Sequence, residues 1–196
     1  MRSRLLLTVG VLLAARLAAA GGGTVKGTVM SQGAPAADAV VLLEGPTVRA
    51  ASGAPHAVID QRNQTFVPHM LAVAVGTTVD FPNGDPMLHN VFSSSPAKKF
   101  DLGMYDQGQT KSVTFDTPGV VRIGCNVHPK MEAFVVVHEN PWAAVTDAKG
   151  SYTVTGVPDG TYQLRVWSAG GAEQRLPVTI RDGQVQGVDV RLAPHP

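Results

Sequence analysis

The chain has 196 residues, 44% hydrophobic and 16% charged, with 21 glycines, 14 prolines, six histidines and one cysteine, which is apolar material for one or two modest cores. The formal charge is +1, but Arg2, Arg4 and Arg16 all fall in the first 20 residues, which hold no acid; without them 13 basic groups face 15 acidic ones, a net charge of −2. That balance excludes a nucleic-acid binder, which needs clustered Lys and Arg to displace counterions, and a lone cysteine excludes an internal disulfide framework.

In chain order, Arg2 and Arg4 precede an apolar run from Leu5 to Ala15, and Leu17-Ala18-Ala19-Ala20 stands before Gly21. This is the pattern of a secretory signal over residues 1–20, too short to span a bilayer. The expected address is periplasmic or otherwise secreted, with no transmembrane segment after cleavage. The remainder lacks any long helical period and reads as all-β. Residues 24–30 alternate as a strand, turn at Ser31 to Pro35 and return as Ala39 to Leu43, a hairpin that is marginal without partners. Gly45 to Pro55, rich in Ala, Gly and Pro, reads as a crossing loop. Residues 56–139 then carry about seven more strands, enough for a sandwich of their own. Ala144-Val145-Thr146, the turn Asp147 to Gly150, and Ser151 to Thr155 read as a second hairpin. Pro158-Asp159-Gly160 leads into Thr161 to Trp167, and two last strands flank Asp182-Gly183. Trp142 and Trp167 are assigned to a sandwich core or a domain interface.

The chemistry concentrates after Val120-Val121-Arg122-Ile123-Gly124, a strand that would deliver Cys125 to a sheet end. There follows Asn126-Val127-His128-Pro129-Lys130-Met131. By itself a single Cys reads as a small buried hydrophobe. A thiolate, an imidazole and a thioether on one short loop instead form a copper-binding set, since a blue-copper site takes two His, one Cys and a weak, long axial Met. The second imidazole is offered by His89 in Pro86-Met87-Leu88-His89-Asn90-Val91. Structural zinc usually wants more sulfur or His pairs, and a free thiol in an oxidising compartment needs metal or burial to protect it. His69 reads as a solvated imidazole at a strand start, and His56, His138 and His195 are assigned nothing. Met70, Met87 and Met104 read as core or rim packing. No His-x-His pair occurs among the six histidines, which disfavours a multicopper oxidase or nitrite reductase; the expectation is a protein that is not an enzyme.

The Cys-x-x-His-x-x-Met loop, Met87-Leu88-His89-Asn90-Val91, Phe66-Val67-Pro68 and Val75-Gly76-Thr77-Thr78-Val79-Asp80-Phe81 together resemble the cupredoxins, the amicyanin class most of all. The resemblance covers residues 57–138 and implies a Greek-key β-sandwich with one type-one copper ion. It implies His89, Cys125 and His128 as strong ligands and Met131 as the axial one. Asn90 would tie the first ligand's segment to the Cys loop, and Pro129 would restrict the turn. Pro86, Met87 and Pro129 would surround the His128 edge as a docking patch for a transient redox partner, a periplasmic dehydrogenase or a cytochrome-like protein. Gly124 departs from the larger residue that many relatives place before the Cys. Residues 24–45 and 141–193, joined end to end, resemble the carboxypeptidase regulatory-like module, a second, smaller Ig/transthyretin-like sandwich, through Thr146-Asp147-x-x-Gly150-x-Tyr152 and Gly160-x-Tyr162-x-Leu164-x-Val166. The copper module of residues 56–139 would then be an insertion. Three functions stand open: a one-electron carrier, a copper storage or delivery protein, and a scaffold whose sandwich contacts a partner.

Overall fold

The computed structural model describes residues 22–45 and 56–194. The expected signal over residues 1–20, most of the expected crossing loop and His195 lie outside them. Among the described residues every helix or strand is a strand. The first group is β1 (Gly23–Ser31), β2 (Ala34–Pro35) and β3 (Val40–Glu44). Next come β4 (His56–Val58), β5 (Asp60–Arg62), β6 (Thr65–Val67), β7 (Met70–Ala74) and β8 (Thr77–Pro82). They are followed by β9 (His89–Ser93), β10 (Phe100–Tyr105), β11 (Thr110–Phe115), β12 (Gly119–Gly124) and β13 (Glu132–His138). The last are β14 (Ala143–Val145), β15 (Ser151–Val157), β16 (Gly160–Ser168), β17 (Gly171–Ile180), β18 (Val185–Gly187) and β19 (Val190–Leu192).

The middle strands pair among themselves. One sheet runs β10-β9-β12-β13-β7 and another β11-β8-β4, with β5 and β6 as a separate hairpin. Period-two side chains from both sheets, Val79, Phe81, Val113 and Phe115 on one side and Val91, Val121, Ile123 and Val135 on the other, close over a common core. The outer strands likewise pair only with one another: β1 with β15, β18, β19 and β2, and β3 with β14 and β16, which also holds β17. Their core joins Val25 and Val29 of β1 to Val41 and Leu43 of β3 and to Trp142, Tyr152, Tyr162 and Leu164.

Two hairpins expected from sequence are absent. Strands β1 and β3 lie in different sheets, as do β14 and β15, so each connection arches across the sandwich instead of joining neighbours in one sheet. The first arch is fixed by Thr146, whose hydroxyl accepts from Ala39 N at 2.8 Å and donates to Ala36 O at 2.6 Å. Left-handed backbone at Gln32, Gly33 and Asp38 turns the chain. Burying Val25 and Val41 in one core requires opposite sheets, and this apolar requirement overrides the local hairpin pattern.

The two strand groups share a third cluster, in which Val40, Leu42 and Trp167 of the outer group meet Met70, Phe134 and Val136 of the middle group. Alternate residues of β3 and β13 therefore enter different cores: Val41 and Leu43 face one and Val40 and Leu42 the other, as do Val135 and Phe134. This accounts for the unbroken apolar runs Val40-Val41-Leu42-Leu43 and Ala133-Phe134-Val135-Val136-Val137, since a strand covered on both faces loses its polar alternation. The Phe134 and Trp167 rings meet edge-on with centroids 5.4 Å apart. Phe134→Ala is expected to cost about 3–5 kcal/mol in urea unfolding, the usual range for a buried aromatic. A double-mutant cycle with Trp167→Ala should return a coupling of about 0.5–1.5 kcal/mol, the worth of an aromatic pair beyond its area; additive losses would mean that the rings touch without coupling.

Candidate metal centre

Strand ends bring the donors together. His89 opens β9, Cys125 follows the last residue of β12, and Met131 precedes the first residue of β13. Strand β12 is flanked by both neighbours: it pairs with β13 from Gly119–Val137 to Gly124–Glu132, and Gly124 pairs with Phe92 of β9. Segment 125–131 is consequently a closed loop with both ends anchored in one ladder. At Gly124 a side-chain methyl would stand 3.0 Å from the Phe92 ring, so the missing Cβ makes room for that ring next to the Cys.

His89 and Cys125 are buried and His128 is half-buried. His89 Nδ1 and His128 Nδ1 are 3.1 Å apart, and each lies 4.0 Å from Cys125 Sγ. A triangle with sides of 3.1, 4.0 and 4.0 Å has a centre about 2.2 Å from each corner, the bond length that imidazole nitrogen and thiolate sulfur make to a divalent transition metal. The donor set fits a metal ion by chemistry as well as by size. Two imidazole nitrogens and a cysteine sulfur converge on one point, and sulfur with nitrogen favours copper. Among the described residues these three form the one group of His, Cys, Asp or Glu gathered in this way. Met131 is 2% exposed, packs in the core cluster that contains Cys125, and donates its amide to His128 O at 2.9 Å.

The neighbours expected from sequence lie around this group. Buried Asn90 accepts from Asn126 N at 3.3 Å through Oδ1 and donates to Asp101 Oδ1 at 2.7 Å, crossing from β9 to the Cys loop. Pro129, Pro86 and Met87 are exposed, as are Leu88, Val127 and Met104. The His69 side chain stays 41% exposed, in keeping with its reading as a solvated imidazole. It sits edge-on to Phe134 at 5.6 Å and its Nδ1 lies 3.2 Å from Asp38 Oδ2, so it links the two strand groups.

Sequence reasoning missed a buried polar network behind His89. Asp85 Oδ2 lies 2.8 Å from His89 Nε2, and the same carboxylate accepts the amides of Asn63 and Gln64 at 2.6 and 2.8 Å. Burial works against charge on Asp85, yet the Gln64 amide, His89 and the Asn63 amide hold its carboxyl below the ordinary range. Asn83 accepts the Asp85 amide and donates to Met87 O and Tyr105 O. Gln61 donates to Tyr105 Oη at 2.6 Å, and that hydroxyl donates to Phe81 O at 2.9 Å. The turn-forming string Asn83-Gly84-Asp85-Pro86 just ahead of His89 was a usable signal. Gln61 and Tyr105 carried none, because their meeting depends on pairing between distant strands.

Residues 54–138 match the family model of copper binding proteins, plastocyanin/azurin family. A reduced amicyanin mutant is 30% identical, aligned over 52% of this chain and 99% of its own, with a TM-score of 0.40. Residues 54–138 are a copper-binding domain of the plastocyanin/azurin type. Its cofactor is copper. A purple cupredoxin from Nitrosopumilus maritimus is 26% identical over 42% of this chain and 99% of its own, TM-score 0.39. A copper-containing nitrite reductase from Thermus scotoductus is 24% identical over 50% of this chain and 25% of its own, TM-score 0.42. No curated protein matches. Residues 119–193 match the carboxypeptidase regulatory-like domain; the first 20 of these are β12, β13 and the loop between them, which pair within the copper-binding cupredoxin domain.

Burial is the first cause raising the phenol of Tyr105, which is pushed up to about 12; the Gln61 hydrogen bond opposes the rise, and the negative charges of Cys125 and Asp60 add to it. Folding thus favours the neutral phenol, so its contribution to stability is complete below the unfolded value of about 10 and is lost as pH rises toward 12. Burial also raises Tyr152 and Tyr162. Ultraviolet titration of the folded protein should accordingly show no phenolate with an ordinary midpoint, and Tyr105→Phe should remove the component at about 12. Any of the three titrating normally would contradict the buried placement.

Proposed function

We propose that this cupredoxin carries single electrons between redox partners, with His89, Cys125 and His128 as strong copper ligands and Met131 as the weak axial one. The observation that carries the reading is the convergence of two imidazole Nδ1 atoms and one cysteine sulfur, 3.1 to 4.0 Å apart, at the closed end of a strand ladder. Copper, when bound, supplies the one-electron couple. The chain's part is to keep the donor geometry the same in both oxidation states: Cys125 is held at the end of β12, Met131 at the start of β13, and Asn90 spans from β9 to Asn126. Little rearrangement on electron transfer means a small barrier. The half-buried His128 stands among exposed Pro86, Met87, Leu88, Val127 and Pro129, a small apolar surface suited to weak, transient docking. Six histidines without a His-x-His pair favour a carrier over a multicopper enzyme. The signal pattern of residues 1–20 supports a periplasmic or otherwise exported location for this activity; no helix of the described residues is long and apolar enough to cross a membrane.

The test is optical and electrochemical. Copper-loaded protein should absorb strongly in the visible through thiolate-to-copper charge transfer and cycle reversibly in voltammetry. Cys125→Ser should abolish the colour, whereas Met131→Leu should keep it and raise the potential, because an axial donor is lost. A colourless Cu(II) protein, or copper that passes readily to a competing chelator without reversible voltammetry, would sink the carrier reading in favour of storage or delivery.

We also propose that residues 24–45 and 141–193 form one discontinuous sandwich into which residues 56–139 are inserted. Support comes from the pairing of β1 and β3 with the strands after β13 and from the core they share. A fragment of residues 56–139 should then unfold cooperatively and keep the copper spectrum. If it is unstructured with and without copper while residues 24–139 fold, the first strands belong to the copper domain.

A further inference from the structure

The Asp85 carboxylate makes three polar contacts beside the donor atoms. The residue is 5% exposed. Its Oδ1 accepts from Asn63 N at 2.6 Å, and its Oδ2 accepts from Gln64 N at 2.8 Å while lying 2.8 Å from His89 Nε2. The two amides come from a two-residue turn, since Arg62 pairs with Thr65 across β5 and β6. Asn63 and Gln64 have φ of 52° and 57°. Left-handed backbone at both central positions defines the turn that matches hairpin twist; Asn suits its first position and Gly its second. Gln64 occupies that second position against the steric preference of its Cβ. Both turn amides end on one carboxylate, which offsets this cost.

The carboxylate is held from its own side as well. Asp85 N donates to Asn83 Oδ1 at 3.0 Å, and Asn83 Nδ2 donates to Met87 O at 2.8 Å and to Tyr105 O at 3.0 Å. Tyr105 is in turn the residue paired opposite His89 between β10 and β9. Both carboxylate oxygens already accept from backbone amides, so the group meets Nε2 from its acceptor side, while Nδ1 faces Cys125 Sγ and His128 Nδ1.

We propose that Asp85 is a positioning residue of the copper centre: pinned by the Asn63–Gln64 turn, it fixes His89 as the Nε2–H tautomer and orients Nδ1 as the donor. The inference rests on His89 being a copper ligand. A carboxylate behind a ligating histidine sets the ring's orientation and raises its basicity, and loss of such a partner typically costs about 10–100-fold in metal affinity.

The experiment is nitrogen NMR of the His89 ring in the metal-free full chain, together with Cu(II) affinity by competition against a chelator. The wild-type ring should carry its proton on Nε2 alone. In Asp85→Asn the single amide oxygen cannot serve two turn amides and the imidazole, so the Asn63 and Gln64 amides should lose hydrogen-exchange protection and the tautomer should become mixed. Cu(II) affinity should fall about 10–100-fold. A wild-type ring protonated on Nδ1 overturns the proposal whether or not the variant folds. So does an Asp85→Asn protein with one tautomer and wild-type affinity, even if it melts lower, because Asp85 would then serve the fold alone. The tautomer is read without copper, so failure of the copper-ligand reading would appear separately, as unchanged histidine tautomers in a chain that binds no metal.

Discussion

The ladder between β12 and β13 is the constraint on which the rest of the copper domain depends. Its pairing runs unbroken from Gly119–Val137 to Gly124–Glu132, and everything between residues 125 and 131 must fit within that closed end. A loop so short has few conformations to lose, so holding the Cys125 sulfur beside the His128 ring costs little further entropy. The fourth donor comes from outside the ladder. His89 is brought in because β9 pairs with β12 through Phe92 and Gly124, where a glycine leaves space for the aromatic ring. Local chain closure thus puts the proposed donors Cys125, His128 and Met131 on one loop, and sheet pairing adds His89.

That ladder is itself held from the far side. Strand β13 turns Ala133, Val135 and Val137 into the core of the copper domain and Phe134 and Val136 into the cluster shared with β3, β14 and Trp167. Each fully buried side chain of this size contributes about 1.5–3 kcal/mol by leaving water, so the shared cluster is a substantial apolar contact. His69 and Asp38 add a polar link at its edge. A partly exposed polar contact of this kind is worth little.

Polar groups inside the copper domain follow the opposite logic. Gln61, Asn83, Asp85, His89 and Asn90 are all almost fully buried, where an unpaired donor or acceptor costs more than a good hydrogen bond returns. Four of them connect His89 or its flanking loop to other segments: Asp85 to the β5–β6 turn, Asn83 to the residues around Met87 and Tyr105, Asn90 to the Cys loop, and Gln61, whose backbone carbonyl accepts from Gly84, to the loop before His89. Once formed, such a network admits few alternative arrangements. The apolar core gives the domain its stability, and the buried polar set gives the donor cluster its geometry.

By itself the sequence determined the chemistry of the centre and the class of fold. Cys125, His128 and Met131 lie within one short loop, and a donor set is a property of residue types and local spacing, so it is legible without coordinates. Alternating apolar residues and frequent turn signals likewise announce strands. Tertiary structure alone decided which strands are neighbours. The apparent hairpins at β1–β3 and β14–β15 became arches because Val25 and Val41 had to face one another from opposite sheets, a demand that no local pattern expresses. The unbroken runs in β3 and β13 acquired meaning only once each strand had a core on both faces. Asp85 belongs to the same class: it stands four residues before His89, but its link to the turn depends on the pairing of β5 with β6, which brings two amides from residues 63 and 64 onto its carboxylate. Long-range burial and buried hydrogen bonding are properties of the whole chain's packing, which is why they had to be seen and could not be read.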